Sequence, residues 1–255
     1  MTGIGVVLRP ELPPESIVAA SRDADDAGVD ELWLWEDCFF SGGIATAAAV
    51  LAATDRARVG IGVLPTPLRN IASTAMEIAT LARLYPGRIR VGLGHGVQSW
   101  MQQVGARVAS PLTLLREQMS ALEILLDGGT VDAVGRYVKL SSVRLDWPPL
   151  TPPPLLIGAT GPKTLALSGE ISSGTILTSE TSPEQVGIAR RHIGAGSGHD
   201  IVVYVDSLTE AGATAEHLKR WVDAGATTIV LQPAPDQIDL AAQFARAVEL
   251  QSLFA

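Results

Sequence analysis

Leu155-Leu156-Ile157-Gly158-Ala159-Thr160-Gly161-Pro162-Lys163 reads as a strand that runs straight into a helix. Its first residues are apolar without alternation, the pattern of a strand covered on both faces. Gly161 suits a helix cap, and Pro162 suits the first helical position, where the missing N–H would have no partner anyway. The same passage from apolar run to helical pattern recurs along all 255 residues. Strand-like runs fall at 4–8, 31–35, 59–64, 89–93, 155–158, 175–178, 201–205 and 228–231. Repeated strand–helix units imply a parallel sheet. Eight of them in this length predict a (β/α)8 TIM barrel of the α/β class, with a doubly wound open sheet as the alternative.

The helical patterns between the runs have readable ends. The first opens after Pro13-Pro14 and closes at Ala27-Gly28, with glycine where a left-handed residue is needed. The third runs from about 71 to 85 and stops before Pro86-Gly87. The seventh ends at Ala224-Gly225 in the same way as the first. No Pro-, Gly- or Ser-rich linker divides the chain, so one domain over 1–255 is expected. One segment, 130–154, is too long for an ordinary connection between the fourth helix and the fifth strand. It reads as a small hairpin around Gly135-Arg136, followed by proline-stiffened extended chain, and it should sit at the barrel's lower face.

Composition narrows the function classes. Apolar residues make up 47% and charged residues 18%, enough for a continuous core and too few charges for a disordered chain. The net charge of −8 argues against nucleic acid as a partner, since binding it requires a basic face that displaces counterions. The single cysteine, Cys38, excludes an internal disulfide and fits a reducing compartment. The first residues lack a basic segment leading into a long apolar one, and the alanine-rich run 44–53 is too short to span a bilayer. A cytoplasmic protein with a small-molecule partner and no membrane partner is the expectation.

In a parallel barrel every strand's C-terminal end opens on one face, so chemistry-bearing residues far apart in sequence can meet there. Glu36-Asp37 ends the second strand, and alternation sends one carboxylate toward the mouth and the other toward the helices. A mouth carboxylate could move a proton or accept a heterocycle's N–H; the competing roles are a helix cap or a salt bridge. His95, between Gly94 and Gly96, is the best placed of the four histidines, because its neighbours let a flat ligand approach the backbone. It could equally serve a structural hydrogen bond. Paired metal-ligand spacing is missing, so no metal is expected. Cys38 has no base or cation next to it in sequence and reads as a small apolar residue. The turn Gly158 to Thr164 places helix N-terminal amides outward, which suits phosphate binding, although it is not a Walker A loop. Thr66, between Pro65 and Pro67, and the pair Trp100-Met101 read first as a stiff loop and as core packing.

Taken together, Leu34-Trp35-Glu36-Asp37, the run from Val59 to Pro65, Tyr85-Pro86-Gly87-Arg88, the run from Val91 to Gly96 and the run from Ile157 to Lys163 resemble the luciferase-like monooxygenase superfamily. The Gly-Pro-Lys turn and the Pro-Gly-Arg lead into the fourth strand look most like its F420-dependent oxidoreductase branch. That resemblance implies an enzyme with coenzyme F420, or alternatively FMN, lying across the mouth. It implies catalytic roles for Asp37 and His95. It implies cofactor contacts from Gly62 and Val63, a third-strand bulge with a cis peptide, and from His95, Gly96 and Val97. Ala159, Thr160, Gly161, Pro162 and Lys163 would hold the phosphate, with Thr178 and Ser179 near the tail or substrate. The activity implied is hydride transfer between the deazaflavin and a small organic substrate. The alternatives are an FMN-dependent monooxygenase and a non-catalytic cofactor-binding barrel. A homodimer is also plausible from the resemblance. Many deazaflavin enzymes of this family carry histidine where this chain has Cys38, and often glutamate where it has Val97. The family's long insertion after the seventh strand is also missing, since Ser207-Leu208-Thr209 leads almost directly to Thr214, which predicts less of a lid.

Overall fold

The computed structural model describes residues 2–196, 198–206, 214–233 and 239–255. In chain order it runs β1 (Gly3–Val7), α1 (Pro14–Ala27), β2 (Glu31–Leu34), α2 (Gly43–Ala53), β3 (Arg58–Pro65), α3 (Ile71–Leu84) and β4 (Ile89–Gly94). A short α4 (Gln98–Gln103) precedes α5 (Pro111–Leu126) and the hairpin β5 (Val131–Val134) and β6 (Lys139–Val143). Then come β7 (Leu155–Gly158), α6 (Pro162–Ile171), β8 (Gly174–Leu177) and α7 (Pro183–Ile193). The chain closes with β9 (Asp200–Asp206), α8 (Ala215–Ala224), β10 (Thr228–Gln232) and α9 (Leu240–Phe254). Eight parallel strands form a closed barrel in the order β1-β10-β9-β8-β7-β4-β3-β2. This is the TIM barrel predicted from the alternation. None of the described helices is long and apolar enough to cross a membrane.

Helix ends follow the local chemistry of the sequence. Gly28 and Gly225 adopt φ of 97° and 115° and close α1 and α8, as a residue without a Cβ can. Asn70 caps α3 through its side chain, and Ser182 with Gln185 forms a capping box on α7. The helix between the fourth and fifth barrel strands is α5, preceded by the α4 turn that carries Trp100 and Met101.

Period-two alternation divides the strand residues into two layers. Leu32, Leu34, Val59, Ile61, Val91, Leu93, Val203 and Ile229 pack outward against the helices. Val7, Trp33, Leu156, Ile176, Val202, Tyr204 and Val230 form a separate cluster inside the barrel. Trp33 is the largest side chain on the axis, and its neighbours are small because it fills the space. A Cβ on Gly60 would lie 2.4 Å from its ring, and one on Gly5 2.7 Å. The Trp33 indole N–H donates to Glu31 Oε2 at 3.1 Å. Glu31, only 2% exposed, also pairs with Arg58 at 2.8 Å and Arg90 at 3.2 Å, and Arg90 reaches Asp200 at 2.8 Å. These partners compensate a carboxylate that could not otherwise be held out of water. The barrel is thus closed below by ion pairs and filled above them by one indole.

The hairpin occurs where the sequence places it, but its direction corrects the lower-face expectation. The Tyr137 hydroxyl accepts from Ser110 N at 2.8 Å, and Glu117 accepts from the backbone of Arg136, Tyr137 and Val138, each at 2.8 Å. Its tip therefore climbs along α5 toward that helix's N-terminal end, on the side where the strands open. The reason is chemical: the three N–H groups at the hairpin turn find their acceptor on α5.

Filling the axis has a measurable consequence. Gly60→Ala should lower stability by about 1–3 kcal/mol through overpacking, read as a reduced urea midpoint at unchanged slope. The loss should shrink in a Trp33→Leu background, where the ring no longer meets the added methyl. A Gly60→Ala protein as stable as the parent would show that the axis has slack.

Candidate active site

A cavity of about 350 Å³ opens at the C-terminal ends of the strands. Its walls are Trp35 and Asp37 beyond β2, Gly62, Val63 and Pro65 of β3, and Gly96, Val97 and Trp100 beyond β4. Thr178 and Ser179, Tyr204 and Gln232 complete it, and Glu36 reaches its edge. The floor is aromatic. Tyr204 meets Trp33 and Trp35 edge to face, each with centroids 6.0 Å apart. Its hydroxyl donates to Gly62 O at 3.3 Å, and burial pushes the phenol well above its usual range, so it stays a donor. Beside it the β3–β4 register shifts between Ile61 and Leu64, and the Gly62–Val63 peptide bond is cis. The Cys38–Phe39 bond is also cis.

The adjacent carboxylates after β2 separate as alternation requires. Glu36 turns outward, where it pairs with Arg69 at 2.5 Å and accepts from Gly43 N at 2.6 Å. Asp37 faces the mouth, and its Oδ2 accepts from Trp35 Nε1 at 2.9 Å. Burial raises the Asp37 pKa and Glu11 adds to the rise, while the Trp35 N–H and Arg9 oppose it. Cys38 carries a thiol pushed up by burial and by its carboxylate neighbours Glu36 and Asp37, which keeps it from acting as a thiolate.

His95 is turned away from the mouth. Its Nε2 lies 3.1 Å from Thr164 Oγ1 in the first turn of α6. Burial lowers its pKa, opposed in part by the backbone of Pro111, so the ring favours the neutral form. It therefore sits beside the Gly-Pro-Lys turn. That turn forms as expected. Gly161 is the cap of α6 with Pro162 at its first position, and no side chain closes this helix end. A Cβ built on Gly161 would meet nothing within 4 Å, so the cap position itself is not crowded. Lys163 is exposed next to it. A second groove of about 340 Å³, between α6 and α7, begins here and includes Ala159, Thr160 and Pro162. Thr178 lines both the groove and the mouth, so the two spaces adjoin.

Gly62, Val63, Gly96, Val97, Thr178 and Asp37 thus gather at one opening, and Ala159, Thr160, Gly161, Pro162, Lys163 and His95 gather beside it. Ala159 faces the core, where its N–H donates to Ile176 O at 3.1 Å. Thr66 is structural, its hydroxyl donating to Gly94 O at 3.0 Å. The pair read as core packing divides: Met101 is fully buried, whereas Trp100 lines the mouth. Sequence reasoning missed Trp35, Tyr204, Gln232 and Arg9. For Trp35 a signal existed, since it shares parity with Asp37. The stretch Ser207-Leu208-Thr209, from which less of a lid was expected, lies outside the described residues. No group of three or more potential metal ligands occurs among the described residues.

A family model for luciferase-like monooxygenases matches residues 2–250, and the chain belongs to that family of oxidoreductases. Within it, the chain is 28% identical over 242 residues to 5,10-methylenetetrahydromethanopterin reductase of Methanolobus tindarius, a match covering 89% of this chain and 73% of the relative. It is 32% identical over 185 residues to an F420-dependent glucose-6-phosphate dehydrogenase of Nakamurella multipartita, covering 68% of this chain and 53% of the relative. Other such reductases are matched over 57–60% of their length, so the chain spans little more than half of several relatives. In three dimensions it superposes on the F420-dependent tetrahydromethanopterin reductase of Methanopyrus kandleri with a TM-score of 0.88 at 18% identity, covering 100% of this chain and 99% of that one. An F420-dependent secondary alcohol dehydrogenase matches with a TM-score of 0.84 at 17% identity, covering 98% and 97%. A Baeyer–Villiger monooxygenase component from Pseudomonas putida in complex with FMN scores 0.69 at 16% identity, covering 88% and 72%.

The Asp37 environment gives a signed pH prediction. A carboxyl whose folded pKa lies above its unfolded value loses stability as pH rises between the two, because the folded state holds the proton longer. Asp37→Asn should therefore raise the melting temperature at pH 7 and change it little at pH 3, where the native carboxyl is already neutral. Equal effects at both pH values would show that burial does not penalise this charge.

Proposed function

We propose that the chain is an F420-dependent oxidoreductase that moves a hydride between the deazaflavin and a small organic substrate. The observation that carries this reading is the adjacency of a mouth with apolar walls and an uncapped helix N-terminus, joined through Thr178. A planar ring with an anionic tail needs both at one end of the barrel. Named relatives that depend on F420, in sequence and in fold, support the choice of cofactor. FMN, with a ring and phosphate of the same general kind, is the alternative, supported by the FMN-bound neighbour.

When bound, the cofactor would supply the hydride chemistry itself. The residues would bind and orient it. Val63, Gly96 and Val97 offer apolar and side-chain-free surface to a flat ring. The amides after Gly161, together with Lys163, would receive the phosphate, where the helix dipole favours negative charge. The hydroxyl of Thr164, held by His95, stands in the same first turn. Asp37 would face the ring or substrate as a hydrogen-bonding group, its carboxylate already held by the Trp35 indole N–H. The chain's one thiol is consistent with a cytoplasmic setting.

Fluorescence titration of the purified protein with F420 and with FMN tests this proposal. One of them should bind with a Kd well below about 1 mM, and Lys163→Ala should weaken that binding about tenfold, the worth of one charge-assisted contact. Failure of both cofactors to bind would remove the proposal. Unchanged affinity in Lys163→Ala would remove the assignment of the phosphate turn.

A further inference from the structure

The mouth has a charge pattern that restricts what can enter beside a cofactor. Its described lining contains no lysine, arginine or histidine, but does contain Asp37 and, at the edge, Glu36. Arg9, Arg69, Arg107 and Lys163 all lie outside that lining. Arg9 follows β1 and lies over the Trp35 ring, 5.4 Å from its centroid. Its Nη1 donates to Pro233 O at 3.0 Å and its Nη2 to Glu11 at 2.7 Å, and its Nε is buried without a partner. Arg69 is paired with both Glu36 and Glu77. Arg107 is exposed and donates to Gln102 at 2.7 Å. Lys163 stands at the head of α6, beside the phosphate turn.

No further cation can come from the segments outside the described residues. Residues 207–213 read Ser-Leu-Thr-Glu-Ala-Gly-Ala and 234–238 read Ala-Pro-Asp-Gln-Ile, without a lysine, arginine or histidine. Another acid stands just behind the wall, Asp206 Oδ1 accepting from Gln232 Nε2 at 3.2 Å. Of the remaining lining, Trp35, Trp100, Tyr204, Val97, Val63 and Pro65 are aromatic or aliphatic, and Thr178, Ser179 and Gln232 are polar but uncharged. Phe39 and Phe40 continue the β2 loop past Asp37 and are 63% and 55% exposed.

We infer that the substrate taken beside the cofactor is an uncharged, largely apolar molecule with an aromatic or conjugated body, and not an organic phosphate. The inference rests on the proposed function, because it assigns the space that a bound ring would leave. A dianion brought to this wall would shed its hydration beside Asp37 and Glu36 and meet no cation in the lining itself, a cost that hydrogen bonds from Ser179 or Gln232 would not offset. A flat apolar molecule would instead bury surface against two indoles and a phenol, with specific ring geometry available. The sugar phosphate in the name of one relative therefore has no charge partner here.

A matched pair of probes tests the inference. 2-Naphthol and 2-naphthyl phosphate share a ring and differ by the charged group. Both are titrated by calorimetry into F420-saturated protein at about 20 mM salt, where screening is weak. 2-Naphthol should bind about tenfold more tightly or better, a difference of one decade in Kd. Trp100→Ala should weaken 2-naphthol binding, and Asp37→Asn should narrow the gap between the probes. Equal or tighter binding of 2-naphthyl phosphate would overturn the inference, above all if Arg9→Gln abolished it. Binding of neither probe would overturn it as well. If neither F420 nor FMN saturates the protein, the proposed function fails by itself. The same pair is then titrated with the turn filled by inorganic phosphate, and the same results decide.

Discussion

The packing of Trp33 on the barrel axis is the constraint from which the site follows. An indole at this position requires glycine at 5 and 60, because any Cβ there would overlap the ring. Its N–H requires an acceptor out of water, which Glu31 provides, and Glu31 in turn requires Arg58 and Arg90. Arg90 also lies over the ring, 5.2 Å from its centroid, so the same cation serves carboxylate and indole. Once Trp33 points inward, parity sends Glu31, Trp35 and Asp37 inward too. The edge of Trp33 meets Tyr204, whose hydroxyl reaches the Gly62 carbonyl beside the irregularity in β3. The floor of the mouth is the upper end of a column that begins with an ion pair at the opposite end of the barrel.

The barrel itself was legible because each unit carries its own punctuation. Apolar runs without alternation marked the strands, and Gly28 and Gly225 marked helix ends that only a left-handed residue could close. The division of Glu36 from Asp37 was legible for the same reason, since both follow directly from a strand whose period is two. His95 was not, because beyond Gly94 the chain leaves β4 and parity no longer says where a side chain points. Tyr204 was hidden differently. A single strand of five apolar residues gives no sign of which alternate set faces the axis, and only the closed barrel decides it. The hairpin's direction depended on Glu117, an ordinary helix-surface acid until three backbone N–H groups are brought to it.

Charge is distributed over this face by use. Lys163 and the uncapped head of α6 stand beside the groove, whose lining carries Glu180 and His192, and the apolar and acidic group stands at the mouth, with Thr178 shared between them. His95 belongs to the first group although it follows the strand that helps line the second. Its burial keeps it neutral, so it adds a hydrogen bond to Thr164 without adding a charge. The arrangement allows an anion to be held at a distance from the place where an uncharged reaction partner would sit.

The structural carboxylate next to Asp37 explains how a loop residue can be positioned well. Glu36 takes the backbone N–H of Gly43 at the head of α2 and the guanidinium of Arg69 beyond β3. The backbone of that same β3 loop is held from behind, Gln118 of α5 donating to Thr66 O and Arg69 O at 3.1 Å each. Three consecutive barrel units are thereby tied together within one residue of Asp37. A side chain on a free loop would spend much of its time away from the mouth, whereas here the neighbouring peptide is fixed by charge-assisted contacts on the outer side. Alternation then does the rest: because Glu36 is anchored outward, Asp37 can only face in.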